Sequence, residues 1–249
     1  ERTINIDDVL IASTFIANID ELKNHYDVRS IYAKELGKAL AKRFDIATMK
    51  TLFAAAGGSS PVGGNGGTSI SGATTDTAAG LVDSLYAVAR SLDEKDAPDE
   101  GRFAVLTPSQ YYTLLTSDNV AINRDTGGVG NVATGKIAQV AGINLFKSNH
   151  LDSVIDLGDA SAVATDDGAA NNDVFGAGGA GYNGDFSALS GTASAKGFLA
   201  GTKEAIGTVK LLDLATESEY QIQRQGTLFV AKYAMGHGVL RPECAVEVQ

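Results

Sequence analysis

The chain has few of the residues that most often build a chemical or membrane-active site. It contains one cysteine, Cys244, in 249 residues, which excludes an intrachain disulfide framework and makes cytoplasmic folding the simplest expectation. Lys and Arg number 20 against 30 Asp and Glu, and the net charge of -10 argues against a nucleic-acid-binding surface, which needs clustered basic residues. Because the apolar stretches fall short of the roughly 20 residues that span a bilayer, we expect no membrane association.

Histidines and the cysteine are sparse and badly spaced for a site. His25, His150 and His237 lie far apart and form no HxxxH or HExxH arrangement, which disfavours a metal site. We expect His25 to cap or pack at the start of a helix and His237 to lie in a glycine-flanked turn. Cys244 precedes an alternating terminal strand, residues 245–248, and is expected to be a buried small residue rather than a nucleophile.

Acidic and glycine-rich segments offer no better candidates. The glycine-rich stretches 57–67 and 176–184 lack the GK[ST] ending of a phosphate-binding loop and are expected to be flexible loops. Two acidic pairs, Asp20-Glu21 and Asp99-Glu100, are interpreted as solvated. A further group of acids, Asp166, Asp167 and Asp173, lacks the spacing of a calcium loop. We therefore predict no catalytic, cofactor-binding or metal-binding residues, and no cofactor.

The strongest helix signal covers residues 25–56. This segment has no proline and one interior glycine, Gly37, and its apolar residues recur mostly at three- and four-residue intervals. The pattern predicts one continuous helix of about 30 residues, roughly 45 Å long, ending at Gly57 and Gly58. Its polar face carries Lys34, Glu35, Lys38, Lys42, Arg43 and Lys50. We expect that face to meet solvent or a neighbouring subunit.

A second elongated element is predicted near the other end of the chain. Polar residues alternate with Tyr220 and Ile222, which indicates a strand with one face in solvent. An uninterrupted strand over residues 217–235 would span on the order of 60 Å. The alternation in residues 1–6 predicts a further strand.

Between the elongated elements the pattern favours a compact unit. The predicted elements are a helix over 77–92, a linker over 93–101, a buried strand over 103–106, a helix opened by a Thr107-Pro108-Ser109-Gln110 capping box, and strands over 144–147 and near Val246. Helices and strands joined by short connections are typical of an α+β domain built round a central sheet.

Two long strings stand at opposite ends of the chain. The first is Asn24-His25-Tyr26-Asp27-Val28-Arg29-Ser30 with Leu36-Gly37 and Leu40-Ala41 after it; the second runs from Gly207-Thr208-Val209-Lys210-Leu211 through Ala231-Lys232-Tyr233-Ala234-Met235-Gly236-His237-Gly238 to Arg241-Pro242-Glu243. Both strings resemble the major capsid protein of short-tailed (podovirus-type) tailed bacteriophages, and they lie in the same order and near the expected separation. A weaker third match covers residues 135–145.

The resemblance implies a tailed-phage major capsid fold of the α+β class. It would have an axial domain, a peripheral domain with a long spine helix and long strands, and part of an extended hairpin loop. The implied division is 1–24, returning strand of the hairpin loop; 25–73, peripheral domain with the spine helix; 74–203, axial domain; 204–240, long peripheral strands; and 241–249, terminal strand returning to the axial domain. The family's N-terminal arm and outgoing hairpin half are expected to precede Glu1.

The resemblance also implies a structural function rather than an enzymatic one. The subunit would self-assemble into hexamers and pentamers of an icosahedral head, and would enclose double-stranded DNA without sequence-specific binding. A scaffolding protein and a portal are the implied partners during assembly in the host bacterial cytoplasm, and the virion capsid is the final location. The spine helix would straighten or shift as the shell expands, with Gly37 serving either as a bending point or as a site of close packing.

Two other functions remain open at this level. An encapsulin-type nanocompartment shell would share the fold but enclose enzymes, whereas an acidic cytoplasmic enzyme would gather perturbed acids from distant residues in one deep pocket.

Residues 159–194 are rich in Gly, Ala, Asn and Asp and have few large apolar side chains, so we place them at the surface of the axial domain.

Overall fold

The computed structural model describes residues 3–6, 9–23, 28–60, 65–116, 139–151 and 197–248. These residues form two sheets and four helices. The helices are α1 (Asn18–Lys23), α2 (Val28–Ala56), α3 (Ala78–Asp93) and α4 (Pro108–Thr116). The strands are β1 (Leu10–Ala17), β2 (Thr68–Ile70), β3 (Phe103–Leu106), β4 (Gln139–Val140), β5 (Ile143–Lys147), β6 (Phe198–Gly201), β7 (Ile206–Gln221), β8 (Gly226–Val239) and β9 (Ala245–Val248).

The larger sheet has six strands in the order β2-β9-β6-β3-β5-β4. The pairs β2/β9 and β3/β5 are parallel and the others are antiparallel. The predicted terminal strand is present as β9. All four of its residues are buried, because β9 lies inside the sheet and both α2 and α3 contact it.

Local signals in the compact unit are confirmed. The predicted helix from residue 77 is α3, whose N-cap Thr77 accepts a hydrogen bond from the Gly80 amide at 3.2 Å. The capping box of α4 is complete: the Thr107 amide donates to Gln110 Oε1 at 3.1 Å, and the Gln110 amide donates to Thr107 Oγ1 at 3.3 Å. The predicted strands become β3, β5 and β9.

The long helix is confirmed over the described residues, because α2 runs unbroken for 29 residues; position 25 lies outside the described residues. It ends where predicted, with the Gly57 amide donating to the Phe53 carbonyl at 3.2 Å. Lys34, Lys38 and Lys42 are exposed, as expected. Lys50 is buried instead, since the second half of α2 is enclosed by the main hydrophobic core.

The single strand predicted over residues 217–235 is wrong. The chain forms a hairpin, in which β7 and β8 pair antiparallel and Glu217 lies opposite Val230. The reversal follows a 3₁₀ turn, Ile222–Arg224, and requires Gln225 in the left-handed region at φ 50°. Gly226 follows because a Cβ there would overlap the Phe15 ring. The β7 strand alone still spans about 50 Å.

The smaller sheet has the order β1-β8-β7 and packs against α2. The strand predicted over residues 1–6 is not found, since described residues 3–6 form no strand. They cross β8 instead. A Cβ at Gly236 would lie 2.9 Å from the Ile6 Cα, and one at Gly238 would lie 2.7 Å from the Ile4 Cγ1. The two glycines around His237 therefore permit close chain crossing within a strand, and the predicted turn at His237 is wrong.

Candidate assembly surfaces

His237 has a structural environment. Its Nδ1 lies 2.9 Å from Thr208 Oγ1 on the paired strand, and its ring meets Phe44 of α2 edge-on at 5.0 Å between centroids. Burial lowers the pKa of His237 below its usual range. A neutral imidazole held between α2 and the hairpin favours packing over chemistry.

The structure brings a second histidine to the same turn of α2. His150 Nδ1 lies 3.5 Å from Asp45 Oδ2, next to the Phe44 that meets His237. These contacts have no signal in the sequence, because the tertiary fold alone brings His150 to Asp45 and His237 to Phe44. In the described ranges, which exclude His25, no group of three or more His, Cys, Asp or Glu is arranged to hold a metal.

Cys244 is buried, as predicted, in a 3₁₀ turn, Pro242–Cys244, that leads into β9. The turn is fixed by its neighbours. Arg241 pairs with Glu204 and, at 2.9 Å, with Glu243. Burial alone would raise the pKa of Glu243, but the hydrogen bond from Arg241, a backbone hydrogen bond and the charges of Arg241 and Lys95 together outweigh it and lower that pKa. These contacts anchor the start of the terminal strand.

The acids at 99–100 are exposed, as predicted, and Asp99 has a structural partner. The buried Arg102 guanidinium lies 2.7 Å from Asp99 and 2.7 Å from Asp93. Arg102 also donates to the Ala97 carbonyl at 3.0 Å and so anchors the whole linker. Sequence reasoning missed this role. The side chains of Asp20 and Glu21 and the acids at 166, 167 and 173 lie outside the described residues.

The described ends of the first glycine-rich stretch are packed rather than loose. A Cβ at Gly67 would overlap the Ala55 and Ala56 carbonyls at the end of α2. The Lys95 ammonium donates to the Gly66 carbonyl at 2.6 Å and to Thr68 Oγ1, and burial lowers its pKa. The flexible-loop prediction is wrong for Gly66 and Gly67, while 61–64 and 176–184 lie outside the described residues.

The most unusual described feature is the amount of exposed apolar surface on the elongated elements. None of the residues of β7, all within the described part, is buried. Leu211 is 72% exposed, and Ile222 at the hairpin turn is 73% exposed. On the first half of α2, Ile31 and Tyr32 are 49% and 45% exposed, although their spacing had placed them on the apolar face. Apolar surface of this extent marks sites of protein contact.

Membrane insertion through a helix is not indicated. In the described ranges, no helix combines the length and apolar character needed to cross a bilayer. Fold and surface together therefore define a class: an elongated structural subunit, with a compact sheet domain and projecting elements that leave apolar side chains exposed for contact with other protein molecules.

Comparison with known proteins identifies the family. The family model described as "Gp10A-like: Major capsid protein" matches residues 1–249. The major capsid protein of Enterobacteria phage T3 is 30% identical over 98% of the chain and 72% of its own length, and that of Escherichia phage T7 is 29% identical over the same shares. The capsid structure of cyanophage P-SCSP1u is 35% identical with a TM-score of 0.76, over 98% of this chain and 72% of that one. The chain belongs to the Gp10A-like family of major capsid proteins.

Family membership confirms the resemblance stated from the two strings. The protein is a structural major capsid protein of a tailed phage, forms an icosahedral capsid, and is located in the virion capsid. The α+β tailed-phage capsid fold is likewise confirmed by the solved capsids it matches. The alternatives of a nanocompartment shell and an acidic enzyme are not supported, because the family consists of phage structural proteins.

Proposed function

We propose that the subunit assembles into hexamers and pentamers whose many weak contacts together close the icosahedral head. The observation that carries this proposal is the exposed β7 strand with its apolar residues, together with the open first half of α2. Closed symmetry repeats each modest contact around every ring, so that no single interface needs to be strong.

The domain division is part of the proposal. We assign 74–203 to the axial domain, 25–73 and 204–240 to the peripheral domain, 1–24 to the returning hairpin strand and 241–249 to the terminal strand. The six-stranded sheet supports an axial domain that includes the terminal strand, because β9 pairs with β6. The β2 strand at the end of 25–73 also pairs with β9, so that peripheral segment contributes an edge to the same sheet.

The contents and partners of the shell are inferred from the family. We propose that the head encloses double-stranded DNA without sequence-specific contacts, an inference supported by the net charge of -10. A scaffolding protein and a portal would act during assembly in the host bacterial cytoplasm.

The test is direct. Purified full-length protein, produced in bacteria with and without a scaffolding protein, should yield shells of uniform size in electron micrographs. Failure to form closed shells both with and without the scaffolding protein would contradict the proposal. Filter binding with duplex DNA at several salt concentrations is the second measurement. Tight binding with a steep salt dependence would contradict the proposed lack of DNA affinity.

A further inference from the structure

We propose that one row of lysines on α2 receives the acidic face of strand β7 from a second copy of this chain. The lysine row is Lys34, Lys38 and Lys42; the acidic face is Glu217 and Glu219. This inference rests on the proposed self-assembly and deepens it by naming the two surfaces that meet in one subunit contact.

The lysine row points away from its own subunit. Leu40 of α2 is buried against the smaller sheet, and at about 100° per residue Lys38 and Lys42 project roughly 160° from it. All three lysines are exposed. Lys38 pairs with Glu35 at 2.6 Å, whereas Lys34 and Lys42 have no ion-pair partner within the described part of the chain. This basic row, with only one of its three lysines paired, belongs to a chain that is acidic overall.

The acidic face also points away from its own helix. On β8, Ala231, Tyr233 and His237 face α2, and the Tyr233 hydroxyl reaches the Leu40 carbonyl. Glu217 and Glu219 are paired with Val230 and Leu228, which alternation places on the opposite face. The 2.7 Å contact between Glu217 and Lys232 fits that placement.

The two surfaces therefore cannot neutralise each other within one subunit. A helix face and a sheet face directed to opposite sides meet only when a second copy supplies one of them. Such a contact is heterologous, and a heterologous contact closes into a ring when the rotation between copies allows it. This is the contact type that a hexamer or pentamer requires.

The spacings agree as well as the charges. Lysines four residues apart on a helix are separated by about 6 Å along its axis. Glutamates two residues apart on a strand are separated by about 6.8 Å. A strand lying along the helix can thus place Glu219 and Glu217 against two successive lysines. Exposed apolar side chains flank both surfaces, Ile31 on the helix and Ile222 beyond the strand.

Charge exchange in the full chain tests this contact. The helix variant is Lys34→Glu with Lys38→Glu, the strand variant is Glu217→Lys with Glu219→Lys, and the exchanged variant carries all four changes. Each two-site variant should raise the lowest concentration at which shells form by about tenfold, because every ring contact then opposes like charges. The exchanged variant should assemble near the wild-type threshold, because each contact again pairs opposite charges.

Two controls separate this contact from charge and folding effects. Asp83→Lys with Glu100→Lys makes the same net charge change as the strand variant at exposed positions elsewhere, and should leave the threshold unchanged. Circular dichroism and thermal unfolding check each subunit. If the strand variant fails to fold, Glu219→Lys alone is combined with Lys34→Glu, since neither residue has an ion-pair partner within the described ranges.

The outcomes distinguish this contact from the broader proposal. Normal shell formation by either two-site variant would overturn the contact while leaving shell assembly standing. Two defective variants whose exchange does not restore assembly would likewise overturn the pairing. Wild-type protein that forms no shells would overturn the proposed assembly, and this contact with it.

Discussion

Replacing Gly37 with alanine should stabilise the unassembled subunit. Gly37 lies inside α2, where a Cβ would meet nothing within 4 Å in the described chain. Alanine therefore introduces no clash, and it removes the helix penalty of an interior glycine, about 1 kcal/mol. For a protein of this size, that free energy corresponds to a rise of about 2–4 °C in Tm.

Thermal unfolding of the unassembled subunit, followed by circular dichroism, measures this effect. Gly236→Ala is the matched control. Its Cβ would overlap the Asn5 carbonyl and lie 2.9 Å from the Ile6 Cα. Because main-chain atoms cannot easily move aside, Gly236→Ala should lower the free energy of unfolding by about 1–3 kcal/mol. A Gly37→Ala protein less stable than wild type would refute the reasoning, because it would mean that the site is not open.

The same variant separates the two interpretations of Gly37 in the shell. If glycine serves as a bending point, the stiffer alanine helix should still build initial shells but slow or block their expansion. If glycine allows a neighbouring subunit to approach closely, initial shell formation should itself fail. If the Gly37→Ala protein assembles and expands as the wild-type protein does, the result would argue against both roles of Gly37.

Three further perturbations test other parts of the molecule. Burial lowers the pKa of His237, so stability is present above the unfolded pKa near 6.5 and is lost as pH falls toward the folded pKa. Denaturant unfolding at about pH 7.5 and about pH 5.5 should show a loss that is smaller in His237→Gln, and an equal loss in both proteins would contradict this. Thr107→Ala should lower the free energy of unfolding by about 1 kcal/mol through loss of the α4 cap to Gln110, whereas a loss of the same size in Thr107→Ser would argue against a capping role. Reversing Arg29 and Lys42 to Glu should reduce shell yield while the helical circular-dichroism spectrum persists; undiminished yield would indicate a merely solvated basic face.

Signals carried by neighbouring residues were predictable from the sequence. The capping box of α4 and the N-cap of α3 depend on side chains three residues from the amides that they satisfy, so the sequence order alone specifies them. The unbroken course of α2 follows similarly from apolar spacing without proline. The two matched strings were specific enough to identify the family before any contact was known.

Features that depend on chain reversal or crossing were not predictable in this way. Alternation over residues 217–235 is the same whether the strand continues or folds back, because period two carries no information about direction. The turn depends on Gln225 adopting a left-handed conformation, which a glutamine in the sequence does not predict. The glycines around His237 were interpreted as a turn because the crossing segment, residues 4–6, lies far away in sequence.

The sequence by itself determined the class of the fold, the long helix, the caps and the capsid family, because these depend on local periodicity and on strings of adjacent residues. Only the tertiary structure decided which side chains pair and which become buried. Arg102 pairs with the acids of its linker, His150 and His237 contact neighbouring residues of α2, and Lys50 is buried. It also directed the lysine row and the acidic face to opposite sides of the subunit. The physical reason is that burial and ion pairing depend on distance in space, which chain separation does not specify.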